Sequence, residues 1–215
     1  MPEFLPVLFQ GLIVTVEITA MAAVLSVIVA FVAAFAKMSH VRWLRWCAAV
    51  YIETFRGTSA LVQLFWLYFV LPHFGITLPA MAVGVLGLGL NIGAYGAEVV
   101  RGAVESVPKR QREAAAALNL SRWQTLRFIV LPQAFLMMLP SWTNLLIELL
   151  KATALVSLIT LGDLTFKAYQ LNQATFRTLE IFTLVLVFYF VVAMGIAAIG
   201  RGLEHRFGRH RAKEA

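Results

Sequence analysis

The amino-acid sequence predicts an all-α integral membrane protein with five transmembrane helices, its N-terminus outside and its C-terminus cytoplasmic. Composition, apolar runs and basic loops all point there. The 215 residues are 60% hydrophobic and only 13% charged, about half the charged share of a soluble domain, and the mean hydropathy is +0.81. Apolar residues fall in charge-free runs long enough to cross a bilayer. The 18 Lys and Arg, against 11 Asp and Glu, gather in particular loops. In a soluble protein a net charge of +7 would suggest nucleic acid; beside this apolar content it bears on topology instead.

The charge-free runs are Ile18–Ala36, Gly57–Ala97, Phe128–Ile147 and Ile181–Gly200. A crossing takes about 20 apolar residues, so the 41 residues of the second run hold two crossings. They divide at Leu71-Pro72-His73-Phe74-Gly75 and Pro79, where Pro and Gly mark a turn. The expected spans are 10–36, 54–72, 79–102, 131–151 and 179–202, forming a single transmembrane domain over 1–215. The opening Met-Pro-Glu-Phe-Leu-Pro lacks the basic region of a cleavable signal.

Lys and Arg concentrate on the cytoplasmic side of a membrane protein. Lys37, Arg42, Arg45 and Arg56 follow span 1; Arg101, Lys109, Arg110, Arg112, Arg122 and Arg127 follow span 3; Arg201, Arg206, Arg209, Arg211 and Lys213 end the chain. These fifteen lie on one side, leaving Lys151, Lys167 and Arg177 on the other. Multi-pass insertion with both basic loops and the tail in the cytoplasm follows, the tail lying against anionic lipid. A lone Cys47 excludes an internal disulfide and any CxxC site. His40, His73, His205 and His210 lack metal-ligand spacing, and no catalytic cluster supports an enzyme.

The loop between spans 3 and 4, residues 107–132, is the most structured non-membrane stretch. Pro108 followed by Lys109-Arg110-Gln111-Arg112-Glu113-Ala114-Ala115-Ala116-Ala117 predicts a short helix with Pro in its first turn. Asn119 suits the left-handed residue that ends such a helix, and Ser121 with Gln124 forms a capping-box pattern that starts another. A DNA-reading helix–turn–helix is excluded because both ends run directly into membrane spans. The residues alone describe a rigid knob apt for docking.

Glu113-Ala114-Ala115, Asn119, Ile129 and Leu131-Pro132 resemble the EAA loop of ATP-binding-cassette (ABC) importer permeases, whose pattern is EAA-x3-G-x9-I-x-LP. Asn119 replaces the Gly, and Asn tolerates positive φ. The resemblance extends along most of the chain to the polar-amino-acid permeases of histidine, glutamine and arginine type. Tyr51 to Thr58 with Leu61-Val62-Gln63-Leu64 are similar to the second-helix signature of that family, and Ala94-Tyr95, Glu98 and Arg101 to its third. Leu131-Pro132-Gln133-Ala134, Pro140, Asn144, Lys151, Thr153 and Leu155 resemble the fourth. Ser59 stands where the family has Pro, and Ala152 where it has Asp. The Arg56-Gly57-Thr58-Ser59 sequence is similar to permeases of the ectoine, compatible-solute branch.

The resemblance implies a type I ABC importer permease fold and import of a polar amino acid or related zwitterion by ATP-driven alternating access. It implies an ATP-binding subunit dimer that receives the loop at Glu113, Ala114, Ala115, Asn119, Leu131 and Pro132. It also implies a second permease subunit, as a homo- or heterodimer, and a periplasmic or lipid-anchored solute-binding protein. No Gly-x4-Gly-Lys-Ser/Thr occurs in the chain, so ATP and Mg belong to the partner ATPase and no cofactor is expected here. The alternative is an ATPase-independent channel or secondary transporter, for which Glu113 would have no role.

Polar residues inside spans are the candidates for a substrate pathway, since a charge at the bilayer centre costs about 2.5–3.5 kcal/mol. Glu98 either pairs with Arg101 at i,i+3 on one helix face or contacts substrate directly. Glu148 either pairs with Lys151 or faces the pathway. Gln63 and Asn91 are interhelical hydrogen-bond partners or pathway lining. Glu17, near the outer end of span 1, reads as structural. The glycines of span 3 suggest close helix packing and a dimer interface, Trp43 and Trp46 an interfacial belt, and Ala152–Gly162 a short helix on the outer surface.

Overall fold

A computed structural model describes residues 2–208, and their regular structure is helical. The basic tail beyond Gly208, with Arg209, Arg211 and Lys213, lies outside the described residues. Helix α1 spans Leu5–Lys37, α2 Arg42–Gly57 and α3 Ala60–Phe65; α3 runs on through a π-helical turn, Trp66–Val70, and a 3-10 turn, Leu71–Phe74. Helix α4 spans Ala80–Ser106 and α5 Lys109–Ala117. The short α6, Arg122–Thr125, continues through a π-helical turn, Leu126–Val130, into α7, Leu131–Ala152. A 3-10 segment, Thr153–Ile159, leads to α8, Leu164–Thr175, and α9, Thr178–Gly208. The helical stretches long and apolar enough to cross a membrane are Leu5–Lys37, Ala80–Ser106, Arg122–Ile159 and Thr178–Phe207.

Helix α4 is the axis of the bundle, and its glycines explain why. A Cβ on Gly89 would meet Leu25 Cδ2 at 2.8 Å, and one on Gly93 would meet Val29 at 3.2 Å. On Gly96 it would lie 2.7 Å from the Trp142 ring and 3.0 Å from Ala30 Cβ. Contacts that advance together along α1 and α4 make these helices parallel, and bare backbone lets them approach closely. Met137 against Ser106 and Trp142 against Gly96 set α7 antiparallel to α4. Phe207 on Phe135 and Gly200 on Thr143 set α9 antiparallel to α7. The glycine-rich face is therefore covered by this chain's own α1, α3 and α7, which corrects its expected place at a dimer interface.

The expected second span also needs correction. It is not one helix over 54–72 but a broken one. Helix α2 climbs beside α4, where Tyr51 donates to the Leu90 carbonyl at 2.6 Å, and stops at Gly57. Thr58 and Ser59 are extended, and α3 resumes with Leu64 packed on Gly87. A break inside a bundle frees carbonyls that lipid cannot satisfy. Side chains do so instead: Gln63 Nε2 and Asn91 Nδ2 each donate to the Phe55 carbonyl at 3.0 Å. Hydropathy does not announce the break, because the sequence near Thr58 carries no Pro.

Ala152–Gly162 also departs from expectation. It is a tight 3-10 segment with Thr153, Val156 and Ile159 buried, Val156 facing Gly84, rather than a helix lying on the surface. Helix α8, absent from the sequence reading, begins at Asp163, whose carboxylate accepts amide hydrogens from Thr165 and Phe166 at 3.1 and 2.9 Å. This N-cap docks on α1: Leu164 N donates to Thr15 Oγ1 at 3.1 Å, and Gly11 leaves no room for a Cβ against Asp163 and Leu164. Burial pushes the Asp163 carboxyl up to about 6, against the amide hydrogen bonds that pull it down.

The apolar outer faces of α1 and α9 expose Phe9, Val24, Val32, Leu186, Phe190 and Val191, as lipid contact requires. Glu17 is exposed on α1. On α2, Trp43 and Trp46 are 66% and 68% exposed beside Arg42 and Arg45, the disposition expected of an interfacial belt.

Candidate functional site: a docking loop and a polar stripe

The loop expected to dock, residues 107–132, folds as its local chemistry dictates. Pro108 precedes α5 with φ −54°, and Val107 anchors it, 2% exposed. Helix α5 ends in a Schellman turn: Asn119 N donates to the Ala116 carbonyl at 2.9 Å and Leu120 N to the Ala115 carbonyl at 3.1 Å. Asn119 has the expected positive φ, 58°. Ser121 and Gln124 form the expected capping box, with Ser121 N donating to Gln124 Oε1 at 2.8 Å and Gln124 N to Ser121 Oγ at 3.3 Å.

Three elements fix the knob to the bundle. Ala115 is fully buried at its base. Arg112 Nη2 donates to the Val104 carbonyl at the end of α4 at 2.7 Å. Arg122 Nη1 and His40 Nε2 lie 3.0 Å apart, joining α6 to the turn after α1. Glu113 and Ala114 remain exposed, and Glu113 makes no ion pair among the described residues.

Leu131 and Pro132 stand at the start of α7. Pro132 has no N–H, and a Pro inside a continuous helix clashes with the carbonyl four residues before it. The π-helical turn immediately ahead widens the spiral, with Leu131 N bonding to the Leu126 carbonyl. Gln133 Nε2 takes up the Ile129 carbonyl at 2.9 Å. The Leu-Pro pair thus joins the knob to α7 through a bend that has its own hydrogen bonds.

Among the sequence candidates inside spans, Asn91 and Gln63 come together: Asn91 Nδ2 donates to Gln63 Oε1 at 3.1 Å, and Gln63 Nε2 to Thr58 Oγ1 at 2.7 Å. Glu148 and Lys151 both lie on the exposed side of α7, and no ion pair joins them among the described residues. With Ser141 and Asn144, also exposed, they form a stripe at helical spacing along a span. Glu98 pairs with Arg101 as its spacing implied, through Arg101 Nη2 at 2.7 Å. Sequence reasoning missed its other partner, Lys37 of α1, at 2.8 Å. It also missed Asp163 and the Arg112–Arg122–His40 group; the parallel packing of α1 on α4 brings Lys37 to Glu98, a contact no local spacing announces.

Comparison with known proteins places this geometry. The family described as "Binding-protein-dependent transport system inner membrane component" matches residues 26–209. The probable amino-acid ABC transporter permease protein y4tF of Sinorhizobium fredii is 43% identical, covering 97% of this chain and 90% of that protein. The glutamine transport system permease protein GlnP of Escherichia coli is 36% identical, covering 94% of this chain and 93% of its own length. The L-cystine transport system permease protein TcyB of Bacillus subtilis is 35% identical, with 98% and 91% covered. A crystal structure of an amino acid ABC transporter with histidines superposes with a TM-score of 0.90 at 34% identity, covering 96% of each chain. The methionine transporter MetNI, inward facing, matches in fold with a TM-score of 0.81 at 18% identity, over 96% of this chain and 99% of that one.

Proposed function

The chain belongs to the family of binding-protein-dependent transport system inner membrane components, and from that membership we propose how its own residues carry a solute and answer a motor. It is a multi-pass permease subunit of an amino-acid ABC importer, and ATP hydrolysis resides on a separate chain.

The pathway runs along the exposed stripe of α7. The single observation that carries this reading is that Ser141, Asn144, Glu148 and Lys151 share one uncovered face within a span. Charges there cost about 2.5–3.5 kcal/mol each near the bilayer centre if they face lipid, so this face meets water and a second permease subunit. Glu148 receives the cationic end of a zwitterion and Lys151 its carboxylate. Gln63 and Asn91 support the wall behind it by holding the broken helix together, and transporters favour broken helices beside their substrate. The fine specificity lies with polar amino acids or zwitterionic compatible solutes of the ectoine kind. Arg56-Gly57-Thr58-Ser59 favours the latter and sits at the break itself.

Five crossings, counting α2 and α3 as one, put the knob and the C-terminus in the cytoplasm and the N-terminus outside. Parallel α1 and α4 support that count, because the chain between them must return across the bundle. The knob, with Glu113, Ala114, Ala115 and Asn119 at its tip and Leu131-Pro132 at its root, docks on an ATPase dimer that binds Mg-ATP. The opposite face, with α8 and the 3-10 segment, receives a solute-binding protein.

Reconstitution with the ATPase and binding protein tests the pathway. Solutes that stimulate ATP hydrolysis define the substrate, and Glu148→Gln is expected to lower their uptake at least tenfold while leaving capture by the binding protein intact. Uptake equal to wild type would remove Glu148 from the pathway.

A further inference from the structure

Beside the knob is a cavity of about 460 Å³ with a cationic rim and an apolar floor. Arg112 comes to it from α5, Arg122 from α6 and His40 from the turn after α1, while Met38, Val104 and Leu126 form part of the floor. We propose that this cavity binds a phosphate-bearing anion, and that the headgroup of an anionic phospholipid is the occupant its shape fits best.

The charge balance comes first. No Asp or Glu lines the cavity, and neither guanidinium pairs with a carboxylate among the described residues. The nearby Lys37 and Arg101, by contrast, both meet Glu98, and Arg101 also meets Glu105. The two arginines of the cavity are held in place without being neutralised. Arg112 gives one hydrogen to the Val104 carbonyl, and Arg122 one contact to His40. A guanidinium has five N–H donors, so each keeps a free edge, and a planar fork matches two oxygens of a phosphate.

The floor distinguishes the source. Met38 and Val104 lie at the ends of α1 and α4, where the spans leave the hydrocarbon, and Val104 is 1% exposed. A free phosphate has no use for apolar contact, whereas a lipid lays its glycerol and upper acyl chain there. An occupant would bridge the turn after α1 to both halves of the knob, stiffening the part of the chain that must move with its motor.

The test uses the assembled transporter. Complexes are recovered from phosphatidylcholine vesicles containing phosphatidylglycerol, washed in detergent, and examined by native mass spectrometry for retained lipid. A second arm uses phosphatidylcholine alone with inorganic phosphate, read by phosphorus NMR. Wild type is expected to retain phosphatidylglycerol, and Arg122→Gln about fivefold less. Arg112→Gln is expected to behave similarly, and Arg45→Gln, on α2 outside the cavity, like wild type. Arg122 is exposed and its one side-chain tie is to His40, so its substitution leaves the helices of the knob folded even where Arg112→Gln disturbs the hold on Val104. Arginine-dependent phosphate binding without lipid retention would identify a free phosphate as the source. Equal lipid retention by wild type and both arginine variants, with no arginine-dependent phosphate binding, would overturn the site.

Discussion

Asn119 governs the turn on which the knob depends, and replacing it has a cost that can be bounded from the geometry. Its φ of 58° is left-handed, a region that costs an ordinary L-residue about 1–2 kcal/mol and that Asn and Gly tolerate. Asn119→Val has two responses. It can keep the turn and bear that strain. It can instead let the turn unwind, losing the Asn119–Ala116 and Leu120–Ala115 hydrogen bonds, about 1 kcal/mol each, along with the alignment of α5 to α6. The chain takes the cheaper response, so the perturbation is about 1–2 kcal/mol, or about five- to thirtyfold in the apparent affinity of the knob for its ATPase. The assay is titration of purified ATPase into proteoliposomes of the permease, following solute-stimulated hydrolysis. Asn119→Val should shift the half-saturating ATPase concentration upward by that factor, and Asn119→Gly should match wild type. A Val variant with wild-type half-saturation would show that the left-handed turn has no part in docking.

Gly96→Ala introduces a Cβ 2.7 Å from the Trp142 ring and 3.0 Å from Ala30 Cβ; overpacking of this kind costs about 1–3 kcal/mol, so the thermal midpoint in detergent should fall, and an unchanged midpoint would mean α4 sits more loosely on α1 and α7. Asp163 binds its proton more tightly folded, at about 6 against an ordinary 3.8, so its contribution to stability is full below about pH 4 and lost as pH rises through about 6, some 3 kcal/mol in all. Asp163→Asn keeps the N-cap but not the titration. The stability gap between variant and wild type should therefore widen in the variant's favour from about pH 4 to about pH 7, and a gap independent of pH would contradict the burial.

The two ends of the chain's physics were unequally legible. The knob could be read almost residue by residue, because Asn119, Ser121 and Gln124 act on backbone groups within three residues of themselves. The long apolar runs likewise announced α1, α4, α7 and α9. What stayed hidden depends on contacts between distant segments. Gln63 and Asn91 were visible as polar residues in apolar helices, but only the packing of α2 on α4 brings both to the Phe55 carbonyl of a broken helix. The glycines of α4 correctly signalled close approach, yet sequence alone could not say that the approaching surface was Leu25, Val29 and Trp142 of the same chain. Asp163 is buried only because α1, bare at Gly11, closes over it, a contact between segments 149 residues apart.

On the proposed function, the exposed carboxylate of Glu113, at the tip of a knob held by Ala115, Arg112 and Arg122, is where the permease meets its ATPase. Glu113→Lys reverses one charge on a surface that makes no ion pair within the described residues, so insertion and folding are left alone. In proteoliposomes with the ATPase and binding protein, the variant is expected to insert at wild-type levels and lose ATP-driven solute uptake. Wild-type uptake by that variant would contradict the assignment of the loop as the point where the motor acts.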